Sequence, residues 1–301
     1  MPDLDVRDRL LTHLRALIGE RHPLASLAHL QQVEEYIADT FQQLGLQVAL
    51  HPFEAMGGTY RNVIASLLPT HQATGQGTSR APLILAAHYD TVEGSPGADD
   101  NASAVAVLLE TARRLRGTDR MREIHCIGFC LEEEGLLGSL AYAAELKAAR
   151  RNIAGAIVLE CVGYASGKEG SQAVPAGIPI AVPTIGNFLA VVGNTASAAL
   201  TGSVAQAAKP HVPVVPLVIP GNGERLPDTR RSDHAAFWHY GFPAVMLTDT
   251  ANFRNPNYHK STDTLDTLDL GFLEQVADAV TASATTMLKD TEGTPEGTNS
   301  P

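Results

Sequence analysis

The chain has 301 residues, 44% of them hydrophobic and 18% charged, with a formal net charge of −11. That composition belongs to a globular chain, and its acidity excludes the broad basic footprint of a nucleic-acid binder and argues against an anionic membrane surface. No run approaches the roughly 18 apolar residues of a membrane span and residues 1–20 lack the apolar core of a signal peptide, so a cytoplasmic protein is expected.

Leu4, Leu10, Leu11, Leu14, Leu17 and Ile18 recur at helical spacing, and so do Leu27, Leu30, Val33, Ile37, Phe41 and Leu44 ahead of Gly45, a stop signal. Residues 46–53 and 60–68 read as strands, with a hairpin at Gly57-Gly58. Residues 71–80 form a polar loop. A short buried strand follows over 82–88, a helix with an Ala/Val/Leu face over 103–116, a strand over 123–131, a helix over 139–149 and an apolar strand over 153–161. This rhythm predicts an α/β fold with a mixed, mostly parallel central sheet flanked by helices on both faces. Ligands gather at the carboxyl ends of strands in such sheets.

Residues 163–187, rich in Gly, Pro and Ser, read as a long excursion of the kind usually tied to function or disorder. A helix over 195–208 and a Pro-punctuated strand over 212–219 come next. The polar loop 221–231, a short helix over 233–239, a strand over 244–247 and an amphipathic helix over 270–289 complete the pattern. No repeat or linker divides the chain, so 1–289 is expected to be a single catalytic domain and 290–301, without an apolar anchor, a disordered tail. Cys126, Cys130 and Cys161 lie in apolar strand-like runs and are not spaced as a zinc knuckle, so buried reduced thiols are expected.

The informative side chains stand at the ends of these apolar runs. His88-Tyr89-Asp90 places an imidazole and a carboxylate two residues apart; His88 is either a ligand with Asp90 as its partner or a hydrogen-bonded strand-end histidine. Asp99-Asp100-Asn101 precedes a helix, where Asp and Asn serve equally well as turn and cap residues, but a carboxylate there can also bridge two metals. Glu132-Glu133-Glu134 ends a strand; a solvated cluster is one reading, and a cation relieving the mutual repulsion is the other. In the second case one Glu binds metal while its neighbour stays free to take a proton. Glu160 ends a central strand, where an unpaired carboxylate is costly and needs a cationic partner or a metal. His259 lies in the turn-rich run Asn255-Pro256-Asn257-Tyr258-His259, which alone suggests a surface histidine. Together these groups suffice to hold two Zn²⁺ ions around a water, with a carboxylate left over as a base; Co²⁺ and Mn²⁺ suit the same ligands. The chain has no H-E-x-x-H, no G-x-S-x-G and no phosphate loop at Gly221-Asn222-Gly223. His234 and His239 read as structural.

In order and spacing these motifs resemble the zinc aminopeptidases of the M28 peptidase family, over residues 24–270. The carriers are A-H-Y-D at 87–90, P-G-A-D-D-N-A-S at 96–103, E-E-x-G-L-x-G-S at 132–139, the acidic strand end at Glu160, S-D-H at 232–234 and N-P-x-Y-H-x-x-x-D-T-L at 255–265. The resemblance implies a phosphorylase/hydrolase-like architecture and a co-catalytic pair of zinc ions. Asp99 would bridge the ions, with His88 and Glu160 on one and Glu133 and His259 on the other. Glu132 would be the general base, Asp90 would orient His88, Tyr258 would face the developing oxyanion, and the Asp99–Asp100 bond would be cis. Glu160 departs from the Asp common in the family, and Ala104 from a common Gly.

The implied activity is metal-dependent exopeptidase hydrolysis of N-terminal residues from a peptide or aminoacyl substrate, with no nucleic-acid or membrane partner. Two rivals share the scaffold: a single-zinc aminoacyl cyclotransferase of the glutaminyl-cyclase type, and a non-catalytic binding domain. The preferred residue and the oligomeric state stay open at this point.

Overall fold

The computed structural model of the protein describes residues 4–70, 80–178 and 180–288. The expected polar loop, all but its last residue, and the expected tail lie outside the described residues. The chain opens with helices α1 (Val6–Leu17) and α2 (Leu27–Gln43). The Asp5 carboxylate caps α1 by accepting from the Asp8 amide, and Leu10, Leu14 and Leu17 bury one stripe of the helix. The hairpin β1 (Gln47–Ala55) and β2 (Gly58–Leu67) turns at Met56-Gly57, with Gly57 at φ +78°, a value a residue without a Cβ adopts freely.

The elements that carry the site follow. They are β3 (Leu83–His88), α3 (Ala104–Leu115), β4 (Ile124–Phe129), α4 (Leu137–Ala148) and β5 (Gly155–Glu160). After the excursion come β6 (Leu189–Asn194), α5 (Ala198–Ala208), β7 (Val214–Ile219), α6 (His234–His239), β8 (Ala244–Thr248) and α7 (Leu270–Leu288). Strand β6 is an addition to the elements expected from sequence. Its short apolar run emerges straight from the excursion and pairs antiparallel with β8, outside the β-α-β rhythm.

The strands form one sheet in the order β1-β2-β4-β3-β5-β8-β6-β7. Four of its seven pairings are parallel, and they include the contiguous block β4-β3-β5-β8. Successive residues of β3 serve opposite faces, as the period of a strand requires. Leu83, Leu85 and Ala87 join the core layer with α1, α2, α3, α5 and α7, whereas Ile84 and Ala86 join the layer with α4 and α6. A strand buried on both faces must be apolar throughout, which is why this one reads as a continuous hydrophobic run. Register sets the strand ends level: His88 lies opposite Phe129, Ala87 opposite Leu159, and Glu160 opposite Thr248. All three cysteines are buried and unpaired. Among the described residues no helix is long and apolar enough to cross a membrane.

Candidate metal centre

His88 ends β3 and Glu160 ends β5, on neighbouring strands of the parallel block. Glu132 and Glu133 stand in the loop after β4. His259 reaches the same spot from the turn-rich segment after β8. Three of the residues beside or within this set have left-handed backbones without being glycine: Leu131 (φ +61°), Cys161 (φ +45°) and His259 (φ +58°). Leu131 and Cys161 lie just beyond the ends of β4 and β5, next to Glu132 and Glu160, and His259 is itself in the cluster.

The side chains converge on three overlapping triads, one of them His88 with Glu132 and Glu133 and the other two sharing Asp100. In the first of those two, His88 Nε2 lies 3.2 Å from Asp100 Oδ1 and 3.4 Å from Glu160 Oε2. In the second, His259 Nε2 lies 3.0 Å from Asp100 Oδ2 and 3.2 Å from Glu133 Oε2. Asp100 therefore faces both imidazoles, one oxygen to each. His88 Nε2, both Asp100 carboxylate oxygens and Glu133 Oε1 are buried without a hydrogen-bond partner. Buried polar atoms without partners are expensive, and nitrogen and oxygen donors collected in triads are the set a zinc-like cation takes. The residues present thus fit a metal.

Asp99, the residue expected to bridge, turns away. Its Oδ1 accepts from the Gly163 amide at 2.8 Å and from Ser103 Oγ at 3.2 Å, and its Oδ2 accepts from Asn255 Nδ2 at 2.7 Å. The physical reason is the path of the loop. The Asp263 carboxylate accepts from the amides of both Asp99 and Asp100, which pins the backbone so that successive side chains diverge. Arg21, fully buried, holds the approach to this loop by donating to the Pro96 and Gly97 carbonyls. Gly97, at φ +61°, has no room for a Cβ, which would run into the Asp100 carbonyl and the Thr91 methyl. The cis peptide bond is Asp100–Asn101, one residue later than expected.

The supporting residues take definite roles. Asp90 accepts from the amides of Glu132 and Glu133, each at 3.1 Å, and lies 3.5 Å from His88 Nδ1. It fixes the loop of the two glutamates as directly as it faces the imidazole. Glu132 Oε2 stands 3.9 Å from His88 Nε2. Ser232 Oγ donates to Glu160 Oε2 at 2.7 Å. The Tyr258 hydroxyl accepts from Arg231 Nη2 at 3.1 Å, and its ring stacks on His259 with centroids 3.9 Å apart. Glu134 turns outward toward His22. His234 stays outside the cluster, bonded to the Thr229 carbonyl and set edge-on to Trp238.

Of the other contributors, Ser232 and Asp263 lie inside motifs singled out above, though no role attaches to them there. Arg21 and Arg231 carry no local signal. Asp233 is a further buried carboxylate behind the site, raised to about 7 by its burial.

The electrostatics are those of a crowded acidic cleft. Burial, then Asp100, raises Glu133 to about 7, and burial holds the Glu132 carboxyl well above the usual range. Burial opposes the charge on His259, yet Asp100 and Glu133 lift it to about 10. Asp100 is also disfavoured as an anion by burial, but His259 and His88 pull it below the usual carboxylate range. Such mutual dependence is what a bound cation would relieve.

Beside the centre lies an apolar pocket of about 790 Å³, open mouth included, lined by Ile178, Val182, Phe188, Val192, Leu217 and Met246. Glu160, Arg231 and Tyr258 also border it. Its wall draws on strands β6 and β7, on residues 172–178 and 180–182 of the excursion, and on residues of the 246–258 stretch.

The model of peptidase family M28 matches residues 62–284. The Escherichia coli K12 protein YfbL is 32% identical over 292 residues, which cover 91% of this chain and 86% of YfbL. BSAP, a zinc aminopeptidase from Bacillus subtilis, is similar in structure with a TM-score of 0.58 and 27% identity, over 78% of this chain and 52% of BSAP. The Macrostomum lignano glutaminyl cyclase shares the fold, with a TM-score of 0.71 at 19% identity over 96% of this chain and 94% of its own. The match to the family model and the likeness to YfbL together assign this chain to peptidase family M28.

Proposed function

We propose that the chain is a zinc-dependent exopeptidase that releases N-terminal residues from peptides. The observation that carries this reading is the Asp100 carboxylate, buried and without hydrogen bonds, facing His88 with one oxygen and His259 with the other. His88 and Glu160 would hold one zinc ion, Glu133 and His259 a second, and Asp100 would serve both. Zinc bound there lowers the proton affinity of a water and polarises a carbonyl.

The chain's own residues supply the rest. Glu132 takes the proton of the attacking water and delivers it to the departing amine. Asp90 steadies the loop on which Glu132 sits. The Tyr258 hydroxyl accepts from Arg231, so its own proton is free to be donated to the developing oxyanion. The substrate's α-amino group lies against Glu160, and its first side chain enters the apolar pocket.

A second reading, a single-zinc aminoacyl cyclotransferase, draws on the end-to-end likeness to a glutaminyl cyclase. Zinc titration, with parallel assays on leucine p-nitroanilide and a peptide with N-terminal Gln, separates the two. Two zinc equivalents and anilide hydrolysis are expected. One equivalent, with ring closure of the Gln peptide and no hydrolysis, would reject the exopeptidase.

A further inference from the structure

The exopeptidase reading, on which this inference rests, assigns no partner to the residue that leaves. The depression over the metal-ligating cluster is lined by Glu132, Glu133, Arg230, Arg231, Tyr258 and His259. The apolar pocket shares Arg231 and Tyr258 with it and adds Glu160, whereas Arg230 borders the depression alone. The Glu160 carboxylate therefore stands at the apolar end, and the Arg230 guanidinium stands only at the other.

The two arginines are held differently. Arg231 donates to Asn252 Oδ1 at 2.9 Å and to Tyr258 at 3.1 Å, and Asp228 lies 3.7 Å away. A guanidinium has five N–H donors, so Arg231 keeps donors to spare. Arg230 makes no hydrogen bond or ion pair among the described residues. Its stem is nevertheless braced: the turn at Gly223 (φ +76°) lies so close that a Cβ there would stand 3.2 Å from Arg230 Cγ. A half-buried guanidinium that pairs directly with no carboxylate among the described residues, though the exposed Glu224 carboxylate feels its charge, thus shares the depression with Glu132, Glu133, Arg231 and His259.

We propose that Arg230, assisted by the free donors of Arg231, receives the carboxylate of the leaving residue. Dipeptides are then the preferred substrates. A dipeptide carries its ammonium at one end and its carboxylate at the other, matching Glu160 and Arg230. In a longer peptide the same position holds a neutral carbonyl, a much weaker partner for a guanidinium.

The test compares Leu-Gly with leucyl-glycinamide, which differ only in that terminal charge. Affinity is measured by calorimetry on zinc-loaded Glu132→Gln protein, and kcat/KM on the unaltered protein. Leu-Gly is expected to win by about tenfold in both, the scale of one hydrogen bond to a charged group. Adding Arg230→Gln is expected to bring the ratio close to one, and Arg230→Lys to restore part of it. Equal binding of the two ligands, or a preference that survives combined Arg230→Gln and Arg231→Gln, overturns the proposal. If the unaltered protein hydrolyses neither compound, the exopeptidase reading fails, and the binding ratio still decides the role of Arg230.

Discussion

Exchanging Asp100 for Asn removes the one charge that faces both imidazoles. Its oxygens stand 3.2 Å from His88 Nε2 and 3.0 Å from His259 Nε2. A carboxamide must place an NH₂ group, which has no lone pair for a cation, at one of these positions. Altering a partner outside the ligand shell already costs about 10–100-fold in metal affinity, so loss of a shared ligand should cost about 100-fold or more. Asp99→Asn makes the same chemical change one residue earlier with a different result. Asp99 accepts from the Gly163 amide at 2.8 Å and from Asn255 at 2.7 Å. One of those bonds breaks, at about 1–3 kcal/mol, and the hydrogen bond that Asp99 shares with the buried Asp249 carboxyl is disturbed as well. Zinc competition against a chelating dye, with thermal melts of both variants, reads the contrast. Asp100→Asn should fold but lose about 100-fold or more in zinc affinity, and Asp99→Asn should lose about tenfold, the low end for a residue behind the ligands, and melt lower. Equal zinc loss in the two variants, or undiminished affinity in Asp100→Asn, would refute the assignment of the shared position.

Glu132→Gln should keep its zinc and lose about 10²-fold or more in turnover, checked by metal analysis beside steady-state kinetics; near-normal turnover would remove it from the base role. Arg231→Met should lower kcat on leucine p-nitroanilide about tenfold with little change in KM, a fraction of what loss of an oxyanion donor costs, and Arg231→Lys should recover part. Because the anilide has no carboxylate, this isolates the hold on Tyr258. Glu110 is opposed as an anion by burial but is held down to about 2 by hydrogen bonds from Arg113, Arg9 and Arg114, joining α1 to α3. A depressed folded-state pKa contributes stability above the ordinary 4.5 that is lost as pH falls toward 2. In urea titrations of chelator-treated protein, Glu110→Gln should therefore be less stable at neutral pH by about 2 kcal/mol, after allowance for solvent around the arginines. The difference should vanish in strong acid, and an equal deficit at all pH values would contradict the ionic role.

The strand-end residues are legible in the sequence for a simple reason. An apolar run that stops at a charged side chain marks where a buried strand leaves the core, as Leu83–Ala87 does before His88 and Ile157–Leu159 before Glu160. His259 is legible through its surrounding motif and not through its own setting, which is that of a surface turn. The choice between Asp99 and Asp100 is not written locally. It depends on Asp263, 164 residues from Asp99, capping both amides. Arg21 acts on the same loop across a similar gulf, donating to Gly97 76 residues away. Long-range anchors of this kind leave no periodicity to read. Strand β6 escapes for another reason: its antiparallel seat beside β8 belongs to the sheet's topology, and a short apolar run in isolation does not announce it.

The left-handed bends at Leu131, Cys161 and His259 have a consequence for anyone wishing to transplant this centre. An L-residue in that conformation is disfavoured by about 1–2 kcal/mol, so an unconstrained loop would relax toward extended backbone and splay its donors. Copying the donor side chains onto another scaffold would reproduce the recipe and miss the mould. The bends, and the surroundings that hold them, have to travel with it.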